Sequence, residues 1–195
     1  PTRHHMESVF REYGLPDVIR SDNGVPFAGK SIGGLSRLMI WLILLGIIPE
    51  RIQKGCPQEN GRHERMHRTL KSDALDPVAG NIKEQQKAFD IYRYDYNYER
   101  PHESLQDQTP SDYYVKSNRP YVEKPYPPDY GHDYLVRQVR HCGEIKFMGR
   151  LFLITHLLSG QPVGLKEIDN DLWQLQFSFY VLGSIDLRIN KVIRN

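Results

Sequence analysis

Cysteine is scarce in this 195-residue chain: two residues, Cys56 and Cys142, stand with no paired spacing. That excludes a disulfide framework and a cysteine-rich zinc site, and it points to a reducing compartment, the cytoplasm. Long apolar runs are missing too. The most apolar stretch, Leu38-Met-Ile-Trp-Leu-Ile-Leu-Leu-Gly-Ile-Ile48, is far shorter than the ~20 residues of a membrane-spanning helix. It reads as a buried helix followed by a short strand, and no membrane partner is expected. Charge of one sign is barely in excess, +2 overall, which by itself selects no partner. No internal repeat and no low-complexity tract is present. The first residues, Pro1-Thr-Arg-His-His5, form no apolar signal segment and include no initiator Met, so the expectation is a fragment or a processed product. What remains, 39% hydrophobic and 26% charged residues, is the composition of one or two globular domains.

The pattern along the chain alternates in type. Met6, Val9, Phe10 and Tyr13 follow helical spacing up to Gly14. Asp17–Ser21 reads as a short strand ending in an Asp-Asn-Gly turn. Residues 31–45 read as a largely buried helix, and 47–52 as an edge or irregular strand because of Pro49. Helical, strongly charged sequence runs from about Asn60 to Asp73, and a longer helix from about Asn81 to Tyr98. Pro120, Pro125, Pro127 and Pro128 make 115–129 an extended linker. Short strands follow, at 134–141, 144–147, 151–154, 163–167, 172–179 and 181–187, which predicts a small all-β, barrel-like domain. The expected division is 1–114, 115–129 and 130–195, and the β domain is expected to fold by itself.

Two motifs carry chemistry. Ser21-Asp-Asn-Gly24 puts the carboxylate of Asp22 at the C-terminal end of a strand, where open α/β sheets place their sites. Cys56-Pro-Gln-Glu-Asn-Gly-Arg-His-Glu-Arg-Met-His-Arg-Thr-Leu-Lys71 puts Glu64 among basic groups at the start of a helix. Two carboxylates on rigid elements are what a Mg²⁺-dependent phosphoryl-transfer site requires. Arg68 and Lys71 follow Glu64 by four and seven positions and share its helix face, a placement suited to phosphates. Asn60 and Gly61 give the entering loop its freedom. Plainer readings exist for each part. Asp-Asn-Gly is a common turn, Glu64 fits a surface i,i+4 ion pair, and Arg68 and Lys71 fit a solvated face. His4, His5, His63, His67 and His102 are read as surface or core residues without metal spacing. The tyrosines at 92, 94, 96 and 98 are read as packing residues.

Taken in order, these motifs resemble the DDE integrase/transposase family. Phe10-Arg-Glu-Tyr-Gly-Leu-Pro16 with Arg20-Ser-Asp-Asn-Gly24 is similar to that family's segment around its second Asp. Pro57-Gln-Glu-Asn-Gly-Arg-His-Glu64 resembles its Pro-x-x-Asn-Gly-x-x-Glu segment. Tyr96-Asn-Tyr-Glu-Arg-Pro-His-Glu-Ser-Leu105 with Thr109-Pro110 resembles its ending. The similarity is greatest to transposases of bacterial insertion sequences.

The resemblance implies an α/β, ribonuclease-H-like integrase core followed by the small β domain. It implies Asp22 and Glu64 as catalytic and metal-binding residues, and Asn60, Arg68 and Lys71 as DNA-binding residues. It also implies a two-metal Mg²⁺ (or Mn²⁺) site in the full-length enzyme, DNA as partner, a homo-oligomer, and a place on the bacterial nucleoid. The family's first Asp belongs upstream of these motifs. Asp17, five positions before Asp22 on the same strand, is no substitute. The expectation is therefore a core without its first strands, inactive alone. The alternatives are a non-catalytic remnant that binds DNA or an intact transposase, and a nuclease of the same fold, which the Arg-Pro-His ending disfavours.

Overall fold

The computed structural model describes residues 2–53 and 61–194, with Arg62 represented by its backbone alone. The protein is mixed α/β. Its packing gathers it into two compact units, one made of residues 1–51 and 117–195, the other of residues 52–116. This differs from a division at the proline-rich segment, and the reason lies in one helix.

In the first unit, α1 (Thr2–Tyr13) buries Phe10. Gly14 stops the helix in the left-handed region at φ 79°, its N–H donating 3.0 Å to the Phe10 carbonyl. A Cβ at this position would lie 2.7 Å from the Ser117 carbonyl oxygen, so both conformation and space demand glycine. Strand β1 (Val18–Ser21) then pairs in parallel with β2 (Ile48–Arg51), Val18 opposite Ile48 and Ser21 opposite Arg51. Between them runs α2 (Arg37–Leu44), capped by the Ser36 hydroxyl, which accepts the Met39 N–H at 3.2 Å.

Six consecutive residues of α2, Leu38 to Ile43, are buried, as expected of a helix that is apolar all round. Leu38, Trp41 and Leu42 pack with Phe10, Leu15, Leu45 and Ile47. Met39, Ile40 and Ile43 join a second cluster with Ile32, Leu35 and the strands after residue 129. At about 1.5–3 kcal/mol for each fully buried large apolar side chain, both sets of packing interactions are substantial. Helix α2 therefore binds the N-terminal segment and the β region into one body.

The β region is a five-stranded antiparallel sheet and a hairpin. The sheet is ordered β3 (Leu135–Gln138), β6 (Pro162–Asp169), β7 (Leu172–Phe177), β8 (Tyr180–Asp186), β9 (Lys191–Arg194). The hairpin pairs β4 (Glu144–Phe147) with β5 (Arg150–Leu153). Met148 and Gly149 at its tip both have positive φ, the requirement of a tight two-residue hairpin turn. Sheet and hairpin share the cluster of Val139, Ile145, Phe147, Phe152, Leu165, Leu175, Phe177 and Leu182.

The segment expected as a linker is extended but anchored at both ends. The Arg119 guanidinium donates to the carbonyls of Pro16, Leu45 and Gly46 at 3.0, 3.0 and 2.9 Å and to Asp17 at 2.8 Å. Backbone bonds Leu15 N–H to Arg119 O (2.7 Å) and Ser117 N–H to Tyr13 O (3.1 Å) run beside it. At the other end the Tyr130 hydroxyl donates to Pro162 O (2.9 Å) and accepts the Ser178 N–H (3.0 Å).

The second unit is helical. Helix α3 (Gly61–Ala74) packs on α4 (Ile82–Tyr94). The Asn81 side chain caps α4 by accepting the Glu84 N–H at 3.0 Å. Beyond Tyr94 the helix widens into a π turn, Asp95–Glu99. A short helix α5 (Pro110–Tyr113) closes the unit, held by a capping box between Thr109 and Asp112.

Candidate active site

Asp22 lies in the first unit, one residue past the C-terminal end of β1. Its side chain is exposed, and its Oδ1 accepts the Gly24 N–H at 3.0 Å. This local turn fixes the carboxylate's direction. Behind it, Arg20 and Glu50 sit opposite each other on β1 and β2 and make two bonds of 3.0 Å each. The Arg20 hydrogen bond holds the Glu50 carboxyl below the usual carboxylate range. The parallel pair is thus clamped at Arg20, the residue just before the Ser21–Asp22 turn, and at its cross-strand partner Glu50.

Glu64, Arg68 and Lys71 lie in the second unit on α3, and all three are exposed. Glu64 is in the first turn, where a negative charge suits the helix dipole. The opposite face carries Met66, Leu70 and the buried Ala74, and the Tyr92 hydroxyl of α4 donates to Met66 O at 3.2 Å. Packing on α4 therefore fixes which face α3 turns outward. Among the described residues neither Glu64 nor Arg68 has an ion-pair partner, so the i,i+4 surface salt bridge is not formed. Asn60, with the Pro57–Glu59 part of its motif, lies outside the described residues.

The carboxylates fit a hard divalent cation by donor chemistry: both are exposed, and carboxylate oxygens are what Mg²⁺ and Mn²⁺ take. Among the described residues, no group of three or more His, Cys, Asp or Glu side chains converges.

Two features escaped the sequence reading. The first is a pair of histidines on α3. His63 and His67 stand edge to face, ring centroids 4.3 Å apart, with Nε2 atoms 3.1 Å apart. Their i,i+4 spacing was the available signal, and it does amount to metal spacing. At about 100° per residue, His67 lies about 60° to one side of Glu64 and Arg68 about 40° to the other. His67 therefore borders the Glu64 face of the helix.

The second is the ionic knot that ends this unit's helices. Arg100 donates to Asp73 on α3 at 2.6 Å and to Asp95 at 3.0 Å, its guanidinium 5.8 Å from the centre of the Tyr92 ring. The Ser72 hydroxyl, and after it Arg100, hold the Asp73 carboxyl below its ordinary range. Asp73 and Asp95 raise Arg100 in turn, with Asp73 the stronger influence. His102 bonds Tyr96 O at 3.1 Å and stands edge-on to the Tyr96 ring. The Arg-Pro-His segment thus braces α3 against α4. Burial raises the Tyr92 hydroxyl, in keeping with its packing role. Tyr94 and Tyr98 stack on each other at 5.2 Å on the exposed side.

Comparison with known proteins places this segment. Residues 45–110 match the family described as integrase core domain. The Gag-Pol polyprotein of baboon endogenous virus (strain M7) is 41% identical over 66 residues, 34% of this chain and 4% of that protein. The Pol polyprotein of feline endogenous virus ECE1 is 41% identical over 66 residues, 34% of this chain and 6% of its own length. The insertion element IS407 uncharacterized 31.7 kDa protein of Burkholderia multivorans (strain ATCC 17616 / 249) is 24% identical over 112 residues, 57% of this chain and 38% of that protein. The matched part of this chain thus spans a minor share of each relative. Over residues 45–110 the chain is thus similar in sequence to the integrase core domain.

Proposed function

We propose that the chain serves DNA integration or transposition, as part of a longer enzyme that cleaves a DNA strand and joins its 3′-end to a target by metal-dependent phosphoryl transfer. The observation that carries this reading is a coincidence. The integrase-core match at 45–110 falls on the helix whose outward face presents Glu64, Arg68 and Lys71. In the proposal Asp22 and Glu64 are carboxylates of a ribonuclease-H-like core that would hold Mg²⁺ or Mn²⁺. Such cations, when bound, would supply a lowered pKa for the attacking hydroxyl and charge stabilisation for the leaving oxygen. Arg68 and Lys71, with Asn60, meet the phosphates beside the scissile bond and set the strand's position rather than its sequence preference. The Gly24 N–H orients the Asp22 carboxylate, and the packing of α3 on α4 sets the helix face that presents Glu64. These residues supply two of the three acids that the resemblance implies, so the 195-residue chain is proposed to be inactive alone.

Strand-transfer and DNA-binding measurements test this together. The chain with transposon-end DNA and Mg²⁺ or Mn²⁺ gives no joined product, but it binds DNA with log affinity falling against log salt. Arg68→Ala and Lys71→Ala each make that slope shallower by about 0.9 for every phosphate left unneutralised. Metal-dependent joining by the chain alone, abolished by Asp22→Asn, overturns the inactivity. Absence of DNA binding at low salt overturns the placement of Arg68 and Lys71. In the full-length enzyme, joining that survives both Asp22→Asn and Glu64→Gln refutes the assignment of the acids.

A further inference from the structure

We propose that His63 and His67 form a chelating site on α3 for a borderline transition metal of the Zn²⁺, Ni²⁺ or Cu²⁺ class. Their Nε2 atoms face each other at 3.1 Å. Two neutral ring nitrogens at that distance repel if both present lone pairs, and they repel if both present N–H groups. The arrangement is favourable in two ways only: one proton is shared between them, or one cation takes its place. The separation suits the second as well as the first. Two nitrogens each about 2.0–2.1 Å from one ion, at angles between roughly 90° and 109°, lie about 2.9–3.4 Å apart. Both rings are exposed, so water completes the coordination and the ion enters without opening the fold. Imidazole nitrogen selects Zn²⁺, Ni²⁺ and Cu²⁺ over Mg²⁺, which prefers oxygen. This site is therefore chemically separate from the carboxylate site proposed for Asp22 and Glu64 and does not depend on it. The helix supplies pre-organisation. Residues i and i+4 stand one turn apart on the same side, so the second imidazole binds intramolecularly once the first has bound. An ion held there staples the turn of α3 that carries Glu64.

The test is titration of the full chain with ZnCl₂ by calorimetry, and with Cu²⁺ followed by its visible absorption. The expected result is one ion bound per chain, with a visible band typical of nitrogen ligation. His63→Ala or His67→Ala lowers affinity at least tenfold, and the double variant removes binding. Circular dichroism shows the helix content of each variant unchanged, as befits exposed positions. Zn²⁺ raises the Tm of the unaltered chain and leaves that of the double variant where it was. The adjacent exposed pair is a control: His4→Ala with His5→Ala leaves the affinity within twofold. Glu64→Gln also leaves Zn²⁺ affinity within twofold, although the carboxylate proposal needs Glu64 for Mg²⁺. Zn²⁺ affinity unchanged in the double variant, or lost in Glu64→Gln while both histidines remain, overturns the site.

Discussion

At the scale of single residues, the informative side chains are those whose surroundings are set by the next turn of chain. Asp22 is directed by the Gly24 N–H, and Asp73 by Ser72 and Arg100. Asp73 yields a pH prediction with a definite sign. Its folded carboxyl titrates below its unfolded value. Its contribution to stability is thus complete above the ordinary carboxylate pKa of about 4 and is lost as pH falls through the lowered folded value. Asp73→Asn makes the second unit less stable at neutral pH and flattens the acid limb of its stability curve, measured by urea melts at a series of pH values. A limb as steep in the variant as in the parent removes Asp73 from that role. Asp22, Glu64, Arg68 and Lys71 could be put forward as candidates from the sequence because motif and helical period name positions. The histidine pair was missed because a sequence shows spacing without showing which rotamers meet. The Arg100 knot was missed because its partners lie on two elements, and only folding brings Asp73 beside Arg100.

Elements were legible where a local pattern decides them. The periodic stretches became α1, α3 and α4, and the alternating ones became β3 to β8. Two places deviate. The helix expected through Tyr98 leaves α geometry after Tyr94, where the Arg100 N–H reaches back to the Asp95 carbonyl at 2.7 Å and its side chain holds the Asp95 carboxylate. That is a tertiary cause no local pattern contains. Strand β9 was not foreseen, since four residues after Asn190 form a strand only because β8 offers an edge to them. Helix α2 is the element with most at stake. Ile43 lies in the cluster that also holds Leu175 and Phe177, so its truncation acts on strands far along the chain. Ile43→Ala costs about 2–5 kcal/mol and lowers near-ultraviolet dichroism from Trp173, which packs against that cluster. A destabilisation below about 1 kcal/mol contradicts the shared core.

For the whole molecule, composition marked out a proline-rich stretch but could not reveal that residues on either side of it share a core. The apolar run at 38–48 was visible; the identity of its second partner was not, because burial on all sides gives no direction. Arg119 is the fastening of this discontinuous unit, joining three backbone carbonyls and a carboxylate. Arg119→Ala destabilises the first unit by about 1–3 kcal/mol, seen as a lower urea midpoint at unchanged slope. Arg119→Lys restores only part, since one ammonium group cannot span acceptors that a planar guanidinium reaches together. A fragment of residues 130–195, expected from its pattern to fold alone, lacks Ile32, Leu35, Met39, Ile40 and Ile43 from its core. It is expected to bind a hydrophobic dye and to melt without a sharp transition, whereas a cooperative melt of the soluble fragment refutes the dependence on α2.

The doubly buried helix also sets a timetable for synthesis. Residues 37–44 leave the ribosome long before the strands beginning at Leu135 exist to cover them. Through that interval an oily segment faces solvent with half its final neighbours still untranslated, the situation in which nascent chains recruit chaperones.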